Sequence, residues 1–163
     1  MGWSTRYLLH YSQAVSTSGQ GDQEFAIKIN FNTVSRELIY AEMAFLLLVK
    51  NRENLPKLVN LFVHHDITHI VLEYFKFKPF IVLSTLLQTF FNTFTIEEVK
   101  HYVYELLIGL KNLKDLGIYH RDIKPGNFLY NPDTKRGMII DFGLAEIDPK
   151  FQAQLEQRLA RLK

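Results

Sequence analysis

A long helical pattern in the second half of the chain places the strongest constraint on how this sequence can fold. The stretch TFTIEEVKHYVYELLIGLKNLKDLG opens with a capping box, Thr95 followed three residues later by Glu98, and closes at Gly117. Between these signals apolar residues recur every three or four positions, at Val99, Tyr102, Val103, Leu106, Leu107, Leu110 and Leu113. The pattern predicts one long amphipathic helix.

The first half of the chain carries strand patterns on both sides of a shorter helical pattern. RYLLHYSQAV and EFAIKINF flank the turn signal STSGQGD at 16–22 and predict a hairpin, and KLVNLFVHHDITHIVLEYF predicts two strands around a turn at His65–Asp66. Between them, TVSRELIYAEMAFLLLVKN has helical spacing at Leu38, Glu42, Phe45, Leu46 and Val49. Strands gathered ahead of a long helix predict the α+β class.

Composition bounds the classes of function. A chain of 163 residues with 47 % hydrophobic content suits one domain, and 19 Lys and Arg against 17 Asp and Glu argue against direct nucleic-acid or membrane binding. The absence of cysteine excludes disulfides, thiolate metal sites and cysteine nucleophiles. Without a signal-peptide pattern or a long apolar run, we expect a soluble intracellular protein. For His64, His65 and His69 we favour surface or core roles over metal binding.

Two short polar motifs follow the long helix. His120–Arg121–Asp122 has Asn127 five places on, and Asp141–Phe142–Gly143 comes after a pattern of two short strands joined by a turn at 131–136. In this order the motifs resemble the catalytic and metal loops of protein kinases. The resemblance implies a protein-kinase-like fold, with a five-stranded antiparallel N-lobe, one helix in that lobe, and the first part of a helical C-lobe.

The resemblance implies a role for each residue of these motifs. Asp122 would accept the proton of the substrate hydroxyl and Lys124 would approach the γ-phosphate of ATP. Asn127 and Asp141 would hold Mg²⁺. His120 and Phe142 would belong to an apolar spine that joins the two lobes.

An upstream lysine completes the phosphate end of the resemblance. Lys28 in FAIK lies on a predicted strand, from which it would reach the α- and β-phosphates. Its acidic partner is predicted to be Glu42, whose neighbours Leu38, Phe45 and Leu46 form the core-facing stripe, rather than Glu37. An inward-pointing lysine needs such a partner because an unpaired buried charge is costly.

The resemblance also implies an adenine-binding end. Ala26 would face the adenine and Leu129 would lie beneath it, while Glu73–Tyr74–Phe75 resembles the hinge whose backbone pairs with the adenine edge. Leu72 would guard the back pocket.

A narrower resemblance is to the cell division cycle seven kinase family. It is carried by KPGNFLYN, DFGLA, IYAEMAFLL and HHDITHIVLEYF. It implies a nuclear serine/threonine kinase that acts with a regulatory activator subunit in the initiation of DNA replication, with replicative helicase subunits as candidate protein substrates. Without this resemblance, a cytoplasmic location would be expected.

Both ends of the chain depart from the kinase pattern. GWSTRY matches only the far half of a glycine-rich loop, and no A-P-E motif follows the Asp-Phe-Gly motif. We therefore expect a partial kinase domain with an N-lobe at about 1–75, a hinge at 73–79, a partial C-lobe at 80–148 and a C-terminal amphipathic helix at 150–163. The alternative is a truncated, non-catalytic kinase-like module that binds nucleotide or a regulatory partner.

Overall fold

A computed structural model describes residues 6–8, 11–16, 23–30, 35–77 and 95–160. The glycine-rich loop remnant, the predicted turn at 16–22, the end of the linker and the end of the predicted C-terminal helix lie wholly or partly outside the described residues.

The described part of the first half forms a five-stranded antiparallel sheet and one helix, which confirms the predicted α+β class. The strands are β1 (Arg6–Leu8), β2 (Tyr11–Ser16), β3 (Gln23–Asn30), β4 (Leu58–His64) and β5 (Ile67–Glu73), in the order β1-β2-β3-β5-β4. The stretch RYLLHYSQAV, which we predicted as one arm of a hairpin, supplies two paired strands in which Leu8 lies opposite Tyr11. Leu9 and His10 are not typical turn residues, so the strand pattern continues through them and predicts a single strand.

Helix α1 (Arg36–Val49) connects β3 to β4 and starts at Ser35, whose hydroxyl accepts a hydrogen bond from the Leu38 amide at 3.4 Å. Its buried residues are Ile39, Glu42, Phe45, Leu46, Leu48 and Val49. The prediction that Leu38 lies on the core-facing stripe is wrong, because its side chain is 52 % exposed. Ile39, about 100° further round the helix, takes the core position instead.

The turn between β4 and β5 is where the sequence predicts it. His65 and Asp66 have φ values of 48° and 60°, and positive φ at both central residues is what a tight hairpin turn of the favoured hand requires. Ile67 lies opposite His64, so the strands pair directly from this turn.

Helix α2 (Ile96–Asp115) confirms the long helical pattern. The Thr95 hydroxyl accepts from the Glu98 amide at 3.3 Å and the Glu98 carboxylate accepts from the Thr95 amide at 2.7 Å, which is the predicted capping box. Gly117 follows the helix with φ +67°, a conformation that favours glycine. The Phe151 ring lies so close to this glycine that an added Cβ would be 2.3 Å from it.

Short elements follow α2 and bring the two polar motifs together. They are β6 (Ile118–Tyr119), a 3₁₀ turn (Pro125–Asn127), β7 (Phe128–Asn131), β8 (Arg136–Ile139), β9 (Glu146–Ile147) and α3 (Gln152–Ala160). β7 and β8 form the expected hairpin, β6 pairs with β9, and α3 lies against α1. The residues of the two motifs therefore lie on loops between short, paired strands.

One hydrophobic core runs from the sheet into the helical part. Its buried members are Phe45, Leu46, Leu48, Val49, Leu55, Ile70, Leu72, Leu113, Leu116, Ile118, Phe128, Tyr130, Ile139 and Phe142. The sheet, α1, α2 and the β7–β8 hairpin therefore share one core, and Phe142 of the second polar motif belongs to it. No helix within the described residues is long and apolar enough to span a membrane.

A buried polar cluster fastens α2 to the hairpin and to the loop after α1. The Glu105 carboxylate accepts from Asn54 Nδ2 at 3.0 Å and from the Gly137 amide at 2.9 Å, and Arg136 Nε lies 3.5 Å away. Asn54 also donates to the Glu105 carbonyl at 2.7 Å, and its own carbonyl accepts from the Ile139 amide. A buried carboxylate is tolerated here because several donors face it.

We expect Glu105→Ala to lower the free energy of unfolding by about 2–4 kcal/mol, because it leaves the Gly137 amide and one Asn54 bond without an acceptor in a buried place. Urea denaturation would measure the change. Glu97→Ala, on the exposed side of the same helix, serves as the control and should change the value by no more than about 0.5 kcal/mol. Equal effects of the two substitutions would contradict the proposed importance of the cluster.

Candidate active site

Three charged side chains from three separate elements meet beside β3, the central strand of the sheet. Lys28 Nζ on β3 contacts Glu42 Oε1 on α1 and lies 3.4 Å from Asp141 Oδ1 in the loop after β8. Glu37, the alternative partner considered from the sequence, lies exposed in the first turn of α1. The structure thus contains the predicted Lys28–Glu42 ion pair.

The Glu42 carboxyl is almost fully buried, at 5 % exposure. Burial raises the pKa of Glu42, and the attraction of Lys28 offsets that rise only in part. The nearby Asp141 acts in the same direction as burial. The largely buried Lys28 ammonium therefore faces one buried carboxyl group, Glu42, and one partly exposed one, Asp141, so its positive charge is compensated.

The loop after β6 holds Asp122 in a fixed position. Its carboxylate accepts from Lys124 Nζ at 2.6 Å and from Asn127 Nδ2 at 2.8 Å, while Asn127 Nδ2 also donates to the Asp122 carbonyl at 3.0 Å. The hydrogen bond from Lys124 is the main reason that the pKa of Asp122 lies below its ordinary value. Asp122 is thus an ionised acceptor at neutral pH.

His120 joins this loop to the one that carries Asp141. Its Nε2 lies 3.0 Å from the Ile140 carbonyl, and its Nδ1 accepts from the Asp122 amide at 3.3 Å. Only the neutral imidazole with its proton on Nε2 satisfies both contacts. Burial lowers the pKa of His120, in agreement with a neutral ring.

Phe142 anchors the Asp141 loop in the core. Its side chain is 1 % exposed, and its ring centroid lies 5.2 Å from that of His120 and 6.2 Å from that of Phe45 on α1. Asp141 itself has φ +69°, which is uncommon for a residue with a side chain and is typical of functional loops. The buried ring and the unusual backbone together direct the Asp141 carboxylate toward Lys28.

The donor atoms of Asn127 and Asp141 fit a divalent cation that also binds phosphate. Because Asn127 Nδ2 faces Asp122, its Oδ1, an oxygen of the kind that Mg²⁺ accepts, is directed elsewhere. The Ile140 amide donates to the Asn127 carbonyl at 2.9 Å and ties the two loops together. Within the described residues no group of three or more His, Cys, Asp or Glu could hold a metal. A cation here would thus need phosphate and water oxygens, as Mg²⁺ commonly does.

The residues predicted to contact adenine lie on β3, on β7 and at the end of β5. Ala26 pairs with Leu72 across β3 and β5, and Leu72 is buried in the core. Leu129 is half-buried on β7 opposite Met138. Glu73 ends β5, and Phe75 is half-buried in the segment that follows. Their contact with adenine stays a prediction.

A comparison with protein-family models decides the family. The model described as the protein kinase domain matches residues 11–156, most of the chain. The chain belongs to the protein kinase family.

Similarity to individual kinases points in the same direction as the narrower resemblance. The chain is 36 % identical over 129 residues to the probable cell division control protein 7 homolog 2 of Encephalitozoon cuniculi, covering 79 % of this chain and 35 % of that protein. It is 35 % identical over 141 residues to the cell cycle protein kinase spo4 of Schizosaccharomyces pombe, covering 85 % and 31 %. With the cell division cycle 7-related protein kinase of Mus musculus it shares 32 % over 125 residues, covering 77 % and 21 %. The resemblance to the cell division cycle seven kinases is confirmed, and the chain spans about a third or less of the length of these relatives.

Several residues that organise the kinase site escaped the sequence analysis. Phe45 stacks on Phe142, and Arg121 forms an ion pair with Glu146. Glu105 accepts a hydrogen bond from Asn54, and Asn131 donates one to the Lys76 carbonyl after β5. A glutamate between Tyr102 and Leu106, near the apolar side of a helix, was the one available signal for the Glu105 cluster. The others are ordinary residue types whose partners lie far away in sequence.

We expect His120 to destabilise the folded kinase as the pH drops below about 6.5, the ordinary pKa of histidine, whereas Glu42, whose pKa is raised by burial, acts in the opposite direction. The pKa of His120 is lower in the folded state, so the unfolded chain binds more protons in that range and the free energy of unfolding decreases. Urea denaturation at roughly pH 7.5 and pH 5 would measure this loss. His120→Gln should reduce the difference, whereas His65→Gln in the exposed hairpin turn should retain it. An unchanged pH dependence in His120→Gln would contradict the neutral, buried state of the ring.

Proposed function

We propose that this chain carries serine/threonine protein kinase activity and transfers the γ-phosphate of ATP to protein side chains. The observation that carries the proposal is the contact of Lys28 with both Glu42 and Asp141, from three elements that are distant in sequence. Phosphoryl transfer depends on positioning and charge more than on covalent chemistry from the protein. An ammonium on the central strand that is held between two carboxylates supplies a fixed position and a positive charge for phosphate.

Lys28 would bind the α- and β-phosphates of ATP. Glu42 keeps the ammonium in place and compensates its charge when no nucleotide is bound. Asp141 and the oxygen of Asn127 would hold Mg²⁺, which when bound would offset the negative charge of the polyphosphate. At the other end, Ala26 and Leu129 would enclose the adenine, and the backbone of Glu73 and Phe75 would pair with its edge.

Asp122 would orient the hydroxyl of the protein substrate and accept its proton. The proton leaves as the new oxygen–phosphorus bond forms and the bond from the γ-phosphorus to the β-phosphate oxygen of ADP breaks. Lys124, which donates a hydrogen bond to Asp122, would stabilise the negative charge on the transferred phosphoryl group. The lowered pKa of Asp122 keeps it ionised and able to accept a hydrogen bond.

The names of the relatives support a more specific proposal about the cellular process in which this chain acts. Their names describe cell division control and cell cycle kinases, and one of them, hsk1, is named a cell cycle serine/threonine-protein kinase. We propose a role in the initiation of DNA replication in the nucleus, with replicative helicase subunits as protein substrates and a regulatory activator subunit as partner.

For the organisation of the domain we keep the boundaries expected from the sequence. The N-lobe would occupy about 1–75, the hinge 73–79, the C-lobe part 80–148 and the C-terminal helix 150–163. The antiparallel sheet with α1, and the sequence from α2 to β9, support this division.

We expect the chain to bind ATP more tightly with Mg²⁺ than with EDTA. Asp141→Asn should weaken binding in Mg²⁺ by roughly tenfold, or about 1.4 kcal/mol, because it removes the carboxylate that would hold the ion. Isothermal titration with ATP in both conditions measures this. Asp115→Asn at the exposed end of α2 is the matched control and should bind like the wild type. Equal ATP affinity with and without Mg²⁺ would count against the assignment of Asn127 and Asp141.

We expect phosphate transfer to depend on Asp122. Asp122→Asn should lower the rate by at least about a hundredfold while ATP binding persists, because the amide cannot accept the hydroxyl proton. Transfer of labelled phosphate to a helicase-tail peptide, followed by phosphoamino-acid analysis, should give phosphoserine or phosphothreonine. Asp66→Asn in the β4–β5 turn serves as the acid-to-amide control. Undiminished labelling by Asp122→Asn would refute the catalytic role, and ATP binding without any transfer by the wild type would favour the nucleotide-binding module.

A further inference from the structure

The side chain of Asn131 joins two parts of the chain that are 55 residues apart. Its Nδ2 donates to the Lys76 carbonyl at 2.8 Å, and its Oδ1 accepts from the amides of Asp133 at 2.9 Å and Thr134 at 3.1 Å. The side chain is buried, at 6 % exposure. A buried amide with three hydrogen bonds in fixed directions is a rigid connection.

Only an amide can make all three bonds. The two backbone N–H groups of the turn need an acceptor, whereas the Lys76 carbonyl needs a donor. An aspartate at 131 could still accept from the turn but would place a carboxylate oxygen against the Lys76 carbonyl. A serine could still accept from the turn, as serines do in such turns, but is too short to reach residue 76. The turn and the connection to Lys76 can therefore be separated by substitution.

The Asn131–Lys76 bond lies at the end of the cleft where we place the adenine. Asn131 ends the strand that carries Leu129, and the two side chains lie on the same face of β7 because strand side chains alternate. Lys76 lies within the proposed hinge and directly follows Glu73–Tyr74–Phe75, the part that would pair with the adenine edge. At the start of the hinge, the Glu73 amide donates to the Lys57 carbonyl at 3.0 Å, and the two side chains form an exposed ion pair at 2.9 Å. The segment 73–76 is thus hydrogen-bonded at both ends, and Asn131 supplies the buried bond that connects it to β7.

We propose that Asn131 is a positioning residue for the adenine ring: its bond to Lys76 fixes the spacing between the hinge segment and β7 and so sets the affinity for the adenine end of the nucleotide. The proposal rests on the assignment of the hinge and of Leu129 under the proposed function. It involves no contact between Asn131 and the nucleotide. Loss of the bond should therefore weaken adenine binding and leave the phosphate end unchanged.

The experiment compares Asn131→Asp and Asn131→Ser with the wild type. Titration calorimetry measures the affinity for ATP with Mg²⁺ and with EDTA, and adenosine is titrated as a second probe. Thr134→Ala is the matched control, because it alters the same turn but keeps the backbone amide that bonds to Asn131. Two variants of different charge are used so that misfolding of one does not decide the result.

Both variants are expected to weaken the binding of ATP and of adenosine by the same factor, about threefold to tenfold for one hydrogen bond. The ratio of ATP affinities with and without Mg²⁺ should stay at the wild-type value, and Thr134→Ala should bind like the wild type. A general loss of folded protein would lower the binding stoichiometry instead.

Unchanged adenosine affinity in a folded variant, or a changed Mg²⁺ ratio, would overturn the role of Asn131 and leave the kinase assignment standing. Failure of the wild type to bind either ATP or adenosine would overturn the proposed function itself, and the role of Asn131 with it.

Discussion

The positive charge of Lys28 is the constraint on which the arrangement of this kinase depends. An ammonium on the middle of a central strand, close to the core, is tolerable only if acids reach it from neighbouring elements. Glu42 does so from α1 and Asp141 from the loop after β8. Both carboxyl groups must therefore reach the same atom, Lys28 Nζ. This requirement fixes the distance between α1 and the sheet and the conformation of the Asp141 loop. Any displacement of α1 that withdrew Glu42 would leave a buried carboxyl and a buried ammonium without each other.

The apolar core enforces that agreement through Phe142. Its ring is buried next to Phe45 of α1 and next to His120, so the residue after Asp141 is in contact with both the helix that carries Glu42 and the loop that carries Asp122. Because a close-packed core resists small displacements, the three acidic groups cannot move independently. The ring of His120 adds a directional element, since its two nitrogens are engaged by the Ile140 carbonyl and the Asp122 amide. Hydrophobic packing and two hydrogen bonds thus hold the charged groups at their separations.

The sequence was sufficient for the two longest helices, for most strands of the sheet and for the Lys28–Glu42 pair. Long periodic patterns such as the one from Thr95 to Gly117 report helices well, since capping and periodicity are local properties. The pairing of Lys28 with Glu42 also followed from the sequence, because the kinase resemblance implies an acidic partner on the next helix and the helical spacing favoured Glu42 over Glu37. The burial of Leu38 was predicted wrongly because spacing alone does not say where a helix face ends. The division of the first strand pattern into β1 and β2 was not predicted, because typical turn residues are absent between them in the sequence.

What the sequence could not supply were contacts between ordinary polar groups and distant backbone atoms. Asn54 and Asn131 look like loop residues, and nothing local indicates that one bonds to Glu105 and the other to the Lys76 carbonyl. Such bonds depend on the full packing of the chain, since backbone carbonyls and amides are present at nearly every residue and only their final position selects a partner. These hydrogen bonds connect the segments on which the charged residues lie. In this kinase the charged residues of the candidate site are therefore predictable from residue types in their order along the chain. The hydrogen bonds by which Asn54 and Asn131 connect distant segments are not.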